Sequence, residues 1–166
     1  MISRVFLDTS VLVAGMVDFG EPSGLPMRIL DAVAQGELER PLTAWHCCIE
    51  FFSVTTRLPG EYRLTAATAL RLIQEEVLPR YSVHDLPPDR RHSFLASLAA
   101  EGLTGGRIYD AHIGEVARLA GARTLVTDNR RHFTALLRHE ISVVTSAELA
   151  AKLETQADAS EDSDTE

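Results

Sequence analysis

The chain has 166 residues, 45% hydrophobic and 24% charged, which is room for one globular domain with a real core. No apolar run approaches the roughly 18 residues of a membrane span, and Asp8 interrupts the N-terminal stretch that a secretory leader would need. The net charge of −8 argues against broad non-specific nucleic-acid binding, and the adjacent Cys47 and Cys48 close no useful disulfide loop, so a reducing cytoplasm is the expected setting.

Residues 4–8, Arg-Val-Phe-Leu-Asp, read as a buried strand that ends in an acid. Residues 11–14 begin a helix capped by Thr9 or Ser10, and residues 18–26 are a Gly/Pro loop. Met27, Ile29, Leu30 and Val33 mark a helix that stops near Gly36, and residues 38–42 are a weak strand. Residues 43–58 read as a helix with Trp45, Ile49, Phe52 and Leu58 inward, ended by Pro59-Gly60. Apolar spacing predicts a helix over 65–78, stopped by Pro79, and a strand over 81–84. Pro87-Pro88 opens a helix whose inner face holds Phe94, Leu95 and Leu98.

Residues 108–119 are amphipathic and helical, closed by Gly121. Residues 123–126 form a strand, with Thr127-Asp128-Asn129 at its end. Phe133, Leu136 and Leu137 belong to a short helix, residues 141–144 are the last strand, and Ser146 caps a helix to about Leu153. Residues 154–166 carry six of the 24 acids and no base, so they read as a disordered acidic tail behind a domain of residues 1–153. The remainder, 18 acids against 16 bases, is nearly neutral. Strands alternating with helices predict an α/β fold, a parallel sheet flanked by helices.

Four acids stand out. Asp8 and Asp128 each end a strand, where doubly wound sheets bind ligands. Glu50 and Asp110 lie inside helices with apolar neighbours, so each has reason to point at the sheet. Carboxylates that converge need a counter-charge, and a hard divalent cation supplies one. Such a site activates water and offsets charge on a phosphodiester.

These segments resemble the PIN-domain ribonucleases, close to the VapC-type toxins. Val5-Phe6-Leu7-Asp8-Thr9-Ser10-Val11-Leu12 resembles that family's opening strand and first acid. Glu50, after Leu42-Thr43, is similar to its second acid, and Gly106-Arg107-Ile108-Tyr109-Asp110-Ala111 to the segment of its third. Gly121 to Asn129, followed by His132-Phe133, resembles the segment of its fourth. The similarity spans residues 4–145.

The resemblance implies a five-stranded parallel sheet between helices and metal-dependent endonucleolytic cleavage of RNA. It places Asp8, Glu50, Asp110 and Asp128 in the catalytic, metal-binding site, with Mg²⁺ or Mn²⁺ as the ion. Thr9, Ser10, Thr127 and Asn129 are expected to orient carboxylates or touch phosphate, and Arg107, Arg130 and Arg131 to hold RNA phosphate. A homodimer and a cognate antitoxin partner are further implications; the helices at 65–78 and 92–100 are candidate dimer surfaces where their apolar residues exceed what the core needs.

The alternatives are a free-standing RNase of this type, a non-catalytic RNA- or protein-binding module, and a phosphotransfer enzyme. An Asp-x-Asp phosphatase needs an acid where Ser10 stands, and a receiver needs a Lys well before Lys152. His46 and Cys47 near Glu50 lack the further ligands that zinc requires.

Overall fold

The computed structural model describes residues 2–161. Among them are five strands of three residues each: Val5–Leu7 (β1), Leu42–Ala44 (β2), Ser82–His84 (β3), Thr124–Val126 (β4) and Ser142–Val144 (β5). They form one parallel sheet in the order β3-β2-β1-β4-β5. Phe6 pairs with Leu42 on one side and Leu125 on the other, which makes β1 the centre. Val5, Phe6 and Leu7 are accordingly buried on both faces, as their continuous apolar run requires. The chain steps outward from β1 to β2 and β3, then returns past β1 to β4 and β5. Strand order therefore reverses between β1 and β4, and a crevice opens at their carboxyl ends.

The helices are Thr9–Met16 (α1), Gly24–Ala34 (α2), Trp45–Thr55 (α3), Ala66–Leu72 (α4), Arg91–Ala100 (α5), Arg107–Leu119 (α6) and Ser146–Glu161 (α7). α1 packs on α2 and α3, α2 packs on α7, and α6 lies against β2. Gly15 allows the first of these contacts, since a Cβ there would sit 2.7 Å from a Leu30 methyl. Gly121 ends α6 with φ +73°, a left-handed conformation that glycine adopts without strain. The Arg4 guanidinium donates to the Ala120 and Gly121 carbonyls, tying the end of α6 to the start of β1.

Several elements differ from the sequence reading, among them α5, whose Leu95, expected inward, is 61% exposed. The inward face of α3 is Cys47, Cys48, Phe51 and Thr55, whereas Trp45 and Ile49 are 46% and 54% exposed. This helix carries two apolar stripes. β2 runs into α3 through Ala44 with no loop, so the strand sets the helix rotation and selects the first stripe. The predicted helix over 65–78 is α4 followed by a π turn, Ile73–Val77, in which Leu78 N–H reaches the Ile73 carbonyl at 3.0 Å. The segment after Phe133 is 3₁₀, Thr134–His139, rather than α-helical. α7 runs to Glu161, past the expected end at Leu153, so residues 154–161 continue a helix where a disordered tail was expected. Ala, Gln and Glu favour helix there, and no Gly or Pro interrupts it. Residues 162–166 of that tail lie outside the described residues.

Candidate active site

Asp8 is the single residue between β1 and α1. Its backbone is extended, with φ −77° and ψ 163°, and its carbonyl accepts from Val11 and Leu12 N–H at 3.1 and 3.2 Å. It is thus the N-cap of α1, one or two positions before the expected Thr9 or Ser10. Its side chain drops into the β1–β4 crevice and the residue is only 4% exposed. There Oδ2 accepts from Thr127 Oγ1 at 2.8 Å and from Ser10 Oγ at 3.0 Å. Each hydroxyl is held in turn by backbone: Asn129 N–H donates to Thr127 Oγ1 at 3.0 Å, and Asp128 N–H to Ser10 Oγ at 3.2 Å. Burial raises the Asp8 pKa and outweighs the opposing hydrogen bonds from Thr127, Ser10 and the Thr9 backbone; the charge of Glu50 raises it further.

Glu50, on α3, faces this crevice from the β2 side. Its Oε2 accepts from the buried Thr9 Oγ1 at 2.6 Å, so α1 supplies the hydroxyl that aims the acid of α3. Asp110, in the first turn of α6, completes the rim. Its Oδ2 lies 3.1 Å from His132 Nδ1, and its side chain is 28% exposed. Burial raises the Asp110 pKa as well; the His132 charge opposes this and the Glu50 charge adds to it. The Glu50 charge thus reaches both Asp8 and Asp110.

Asp128 stands apart from that trio. Its Oδ1 accepts from Ser146 N–H and its Oδ2 from Ser146 Oγ, both at 3.0 Å. Its carboxylate thus caps the first turn of α7, while its backbone N–H supports Ser10. Asn129 likewise contributes its backbone N–H. Among the described residues, no three acidic, His or Cys side chains close tightly enough to form a finished metal cage.

The three arginines also divide. Arg130 is engaged by Glu148 at 3.0 Å. Arg107 and Arg131 lack a carboxylate partner among the described residues and line a groove of about 1000 Å³ that reaches Asp110 and His132. Elsewhere in that groove Arg118 is held bidentately by Glu115, and Arg138 lies 3.5 Å from Glu101.

The pairing of His132 with Asp110 has no sequence signal, because it depends on how the 3₁₀ turn Arg130–His132 lies against α6. His46, considered with Glu50 as a zinc ligand, stacks its ring on Tyr109 instead. Cys47 and Cys48 are ordinary core residues. Burial pushes the Cys47 thiol up to about 12 and the Cys48 thiol to about 11, so neither is a ready thiolate.

Comparison with known proteins returns one family. The PIN-domain family model matches residues 4–131. Ribonuclease VapC40 of Mycobacterium tuberculosis is 34% identical over 139 residues, covering 83% of this chain and 97% of that protein. Among solved structures, Mycobacterium tuberculosis VapC20, a sarcin-ricin-loop-cleaving toxin, superposes with TM-score 0.53 at 18% identity, covering 73% of this chain and 86% of that one. FitAcB from Neisseria gonorrhoeae gives TM-score 0.54 at 16% identity over 86% of this chain and 97% of that one. FitAB bound to an IR36 DNA fragment gives 0.55 at 16% identity, covering 86% and 94%. At these identities the structural matches speak to fold.

Proposed function

The chain belongs to the PIN-domain family, and from that premise we propose that it is a divalent-metal-dependent endoribonuclease, the toxin of a toxin–antitoxin pair. The observation that carries this reading is Asp8, buried at the strand-order switch with its carboxylate held by Thr127 and Ser10, beside a Glu50 carboxylate held by Thr9. Asp8, Glu50 and Asp110 bring only oxygen donors, the set that Mg²⁺ and Mn²⁺ take, and such ions fill most of their shell with water and need only one or two carboxylates. The raised Asp8 and Asp110 pKa values fit that assignment, because a cation relieves the desolvation and repulsion that cause them.

In this mechanism Asp8 and Asp110 would hold the ion, and Glu50 would act beside them to orient the attacking water. When bound, the ion lowers the pKa of water and offsets charge developing on the phosphodiester. The protein's own contribution is placement. Thr127 and Ser10 fix the Asp8 carboxylate, Thr9 aims Glu50, and His132 holds Asp110. Arg107 and Arg131 draw the RNA backbone toward Asp110. Asp128 and Asn129 act through backbone, as supports of the Ser10 and Thr127 hydroxyls. The relative named as a ribonuclease supports the RNA substrate, and an antitoxin partner follows from the proposed toxin role. Exposed Leu70 and Leu95, on α4 and α5, support those helices as surfaces for a second copy.

The test is cleavage of labelled RNA with Mg²⁺ or Mn²⁺, with EDTA as control, comparing wild type with Asp8→Asn and Asp110→Asn. Metal-dependent cutting that disappears in both variants is the expected result. Cutting that survives both substitutions, or survives EDTA, overturns the reading. The product ends then report the attack: a 5′-phosphate and 3′-hydroxyl for water, a cyclic phosphate for the 2′-hydroxyl.

A further inference from the structure

The acids of the site leave the rings beside them unexplained. His46 lies one turn before Glu50 on α3, and Tyr109 lies directly before Asp110 on α6. These rings stack, with centroids 5.5 Å apart and planes 23° apart. His112 of α6 packs on His46 at 5.1 Å, and Phe94 of α5 meets His112 edge-on at 5.6 Å. Four rings from three helices thus form a ladder. Its inner members, His46, His112 and Phe94, are partly buried and serve to join the helices. Its outer member does not fit that role, because Tyr109 remains 58% exposed.

The position of Tyr109 relative to charge is the second observation. Successive residues of a helix project about 100° apart. Arg107, Ala111 and Gly114 turn one side of α6 to the arginine groove. Tyr109 projects to the other side, toward α3, and Asp110 lies between the two. A polyanion drawn along Arg107 and Arg131 therefore crosses Asp110 and arrives at a ring that is backed on one side and open to solvent.

We propose that Tyr109, stiffened by His46, is a stacking platform for one unpaired base of the RNA, next to the phosphate that reaches the acidic site. The proposal rests on the nuclease reading above and adds to it a residue that positions the base beside the acidic site. Bases inside a duplex already stack on each other and offer no free face to a protein ring. Stacking is tolerant of base identity, so the platform selects for unpairedness before sequence.

The experiment uses the full chain carrying Asp8→Asn, so that RNA is bound without being cut. Single-stranded oligoribonucleotides bearing 2-aminopurine are titrated and read by anisotropy and by fluorescence quenching, alongside the matching duplex. Adding Tyr109→Leu should weaken single-strand binding about tenfold and remove the quenching, while duplex binding is unchanged. Tyr109→Phe keeps the ring face and should restore both signals. An abasic site walked along the oligonucleotide tests the same contact with the parent protein unaltered. At one position it should weaken parent binding about tenfold and leave Tyr109→Leu unaffected. Equal single-strand binding by parent and Tyr109→Leu, or no sensitive abasic position, overturns the platform while cleavage by wild type leaves the nuclease reading in place. Failure of wild type to bind or cut any RNA removes both.

Discussion

Asp8 and Asp110 feel the same neighbour, Glu50, from opposite surroundings. Asp8 lies in the dry crevice between two strands, its Oδ2 held by Thr127 and Ser10 and each of those held by a backbone N–H. Asp110 lies on a helix at the edge of an open groove, held by one histidine that is itself 42% exposed. The first acid is positioned by the sheet and moves only if β1 or β4 moves. The second is positioned by a side chain on a 3₁₀ turn and is free to exchange partners when substrate arrives. The proposed site thus joins a fixed carboxylate to an adjustable one, and substitutions should separate the two.

The largest effect is expected at the acids themselves. Asp8→Asn or Asp110→Asn should each lower the cleavage rate by at least about 100-fold in single-turnover assays, since several kcal/mol of charge stabilisation disappears. Next comes the support of the fixed acid. Thr127→Val removes one hydroxyl from Asp8 and should lower activity or metal affinity by about 10–100-fold. His132→Gln, at the adjustable acid, should cost less than that, because Asp110 keeps its access to solvent. Equal losses at the two supports would break the comparison.

Stability should run the other way. Burial raises the Asp8 pKa above its unfolded value of 3.8, so the folded state binds the proton more tightly. The stability this contributes is full below pH 3.8 and is lost as pH rises through the folded pKa. In EDTA, Asp8→Asn should therefore melt higher than wild type at neutral pH, by about 2–4 °C for each kcal/mol relieved, and the gap should close toward acid pH. A variant that melts lower than wild type at pH 7 would contradict the burial argument.

The smallest effects belong to the periphery. Asp128→Ala removes the Ser146 contacts and should cost about 1 kcal/mol of stability, with a far smaller loss of activity than Asp8→Asn. Arg107→Ala and Arg131→Ala should each lower the salt slope of single-strand RNA binding by about 0.7. Arg130→Ala should barely alter it, because that guanidinium is already paired with Glu148 on the surface.

The strands, their parallel arrangement and the buried place of Asp8 at the end of β1 were legible because each leaves a local mark. Apolar runs ending in an acid read as strands feeding a site, and helical acids between apolar residues read as inward. The rotation of α3 left no such mark, because Trp45-Ile49-Phe52 and Cys47-Phe51-Thr55 are equally good stripes and only the loopless join at Ala44 decides between them. Asp128 carried the right local signal and yet turns to Ser146, eighteen residues away, which no spacing rule foresees. The His132–Asp110 contact and the ring ladder escaped for the same reason, since both depend on how separate helices lie together.

The cap that Asp128 forms on α7 has an evolutionary side. A carboxylate that binds a cation has few substitutes, whereas a helix cap is served nearly as well by Asn, Ser or Thr. Position 128 should accordingly drift among these small polar residues while positions 8 and 110 stay fixed. A saturation library selected for function should return that asymmetry, with one freely exchanged acid beside two frozen ones.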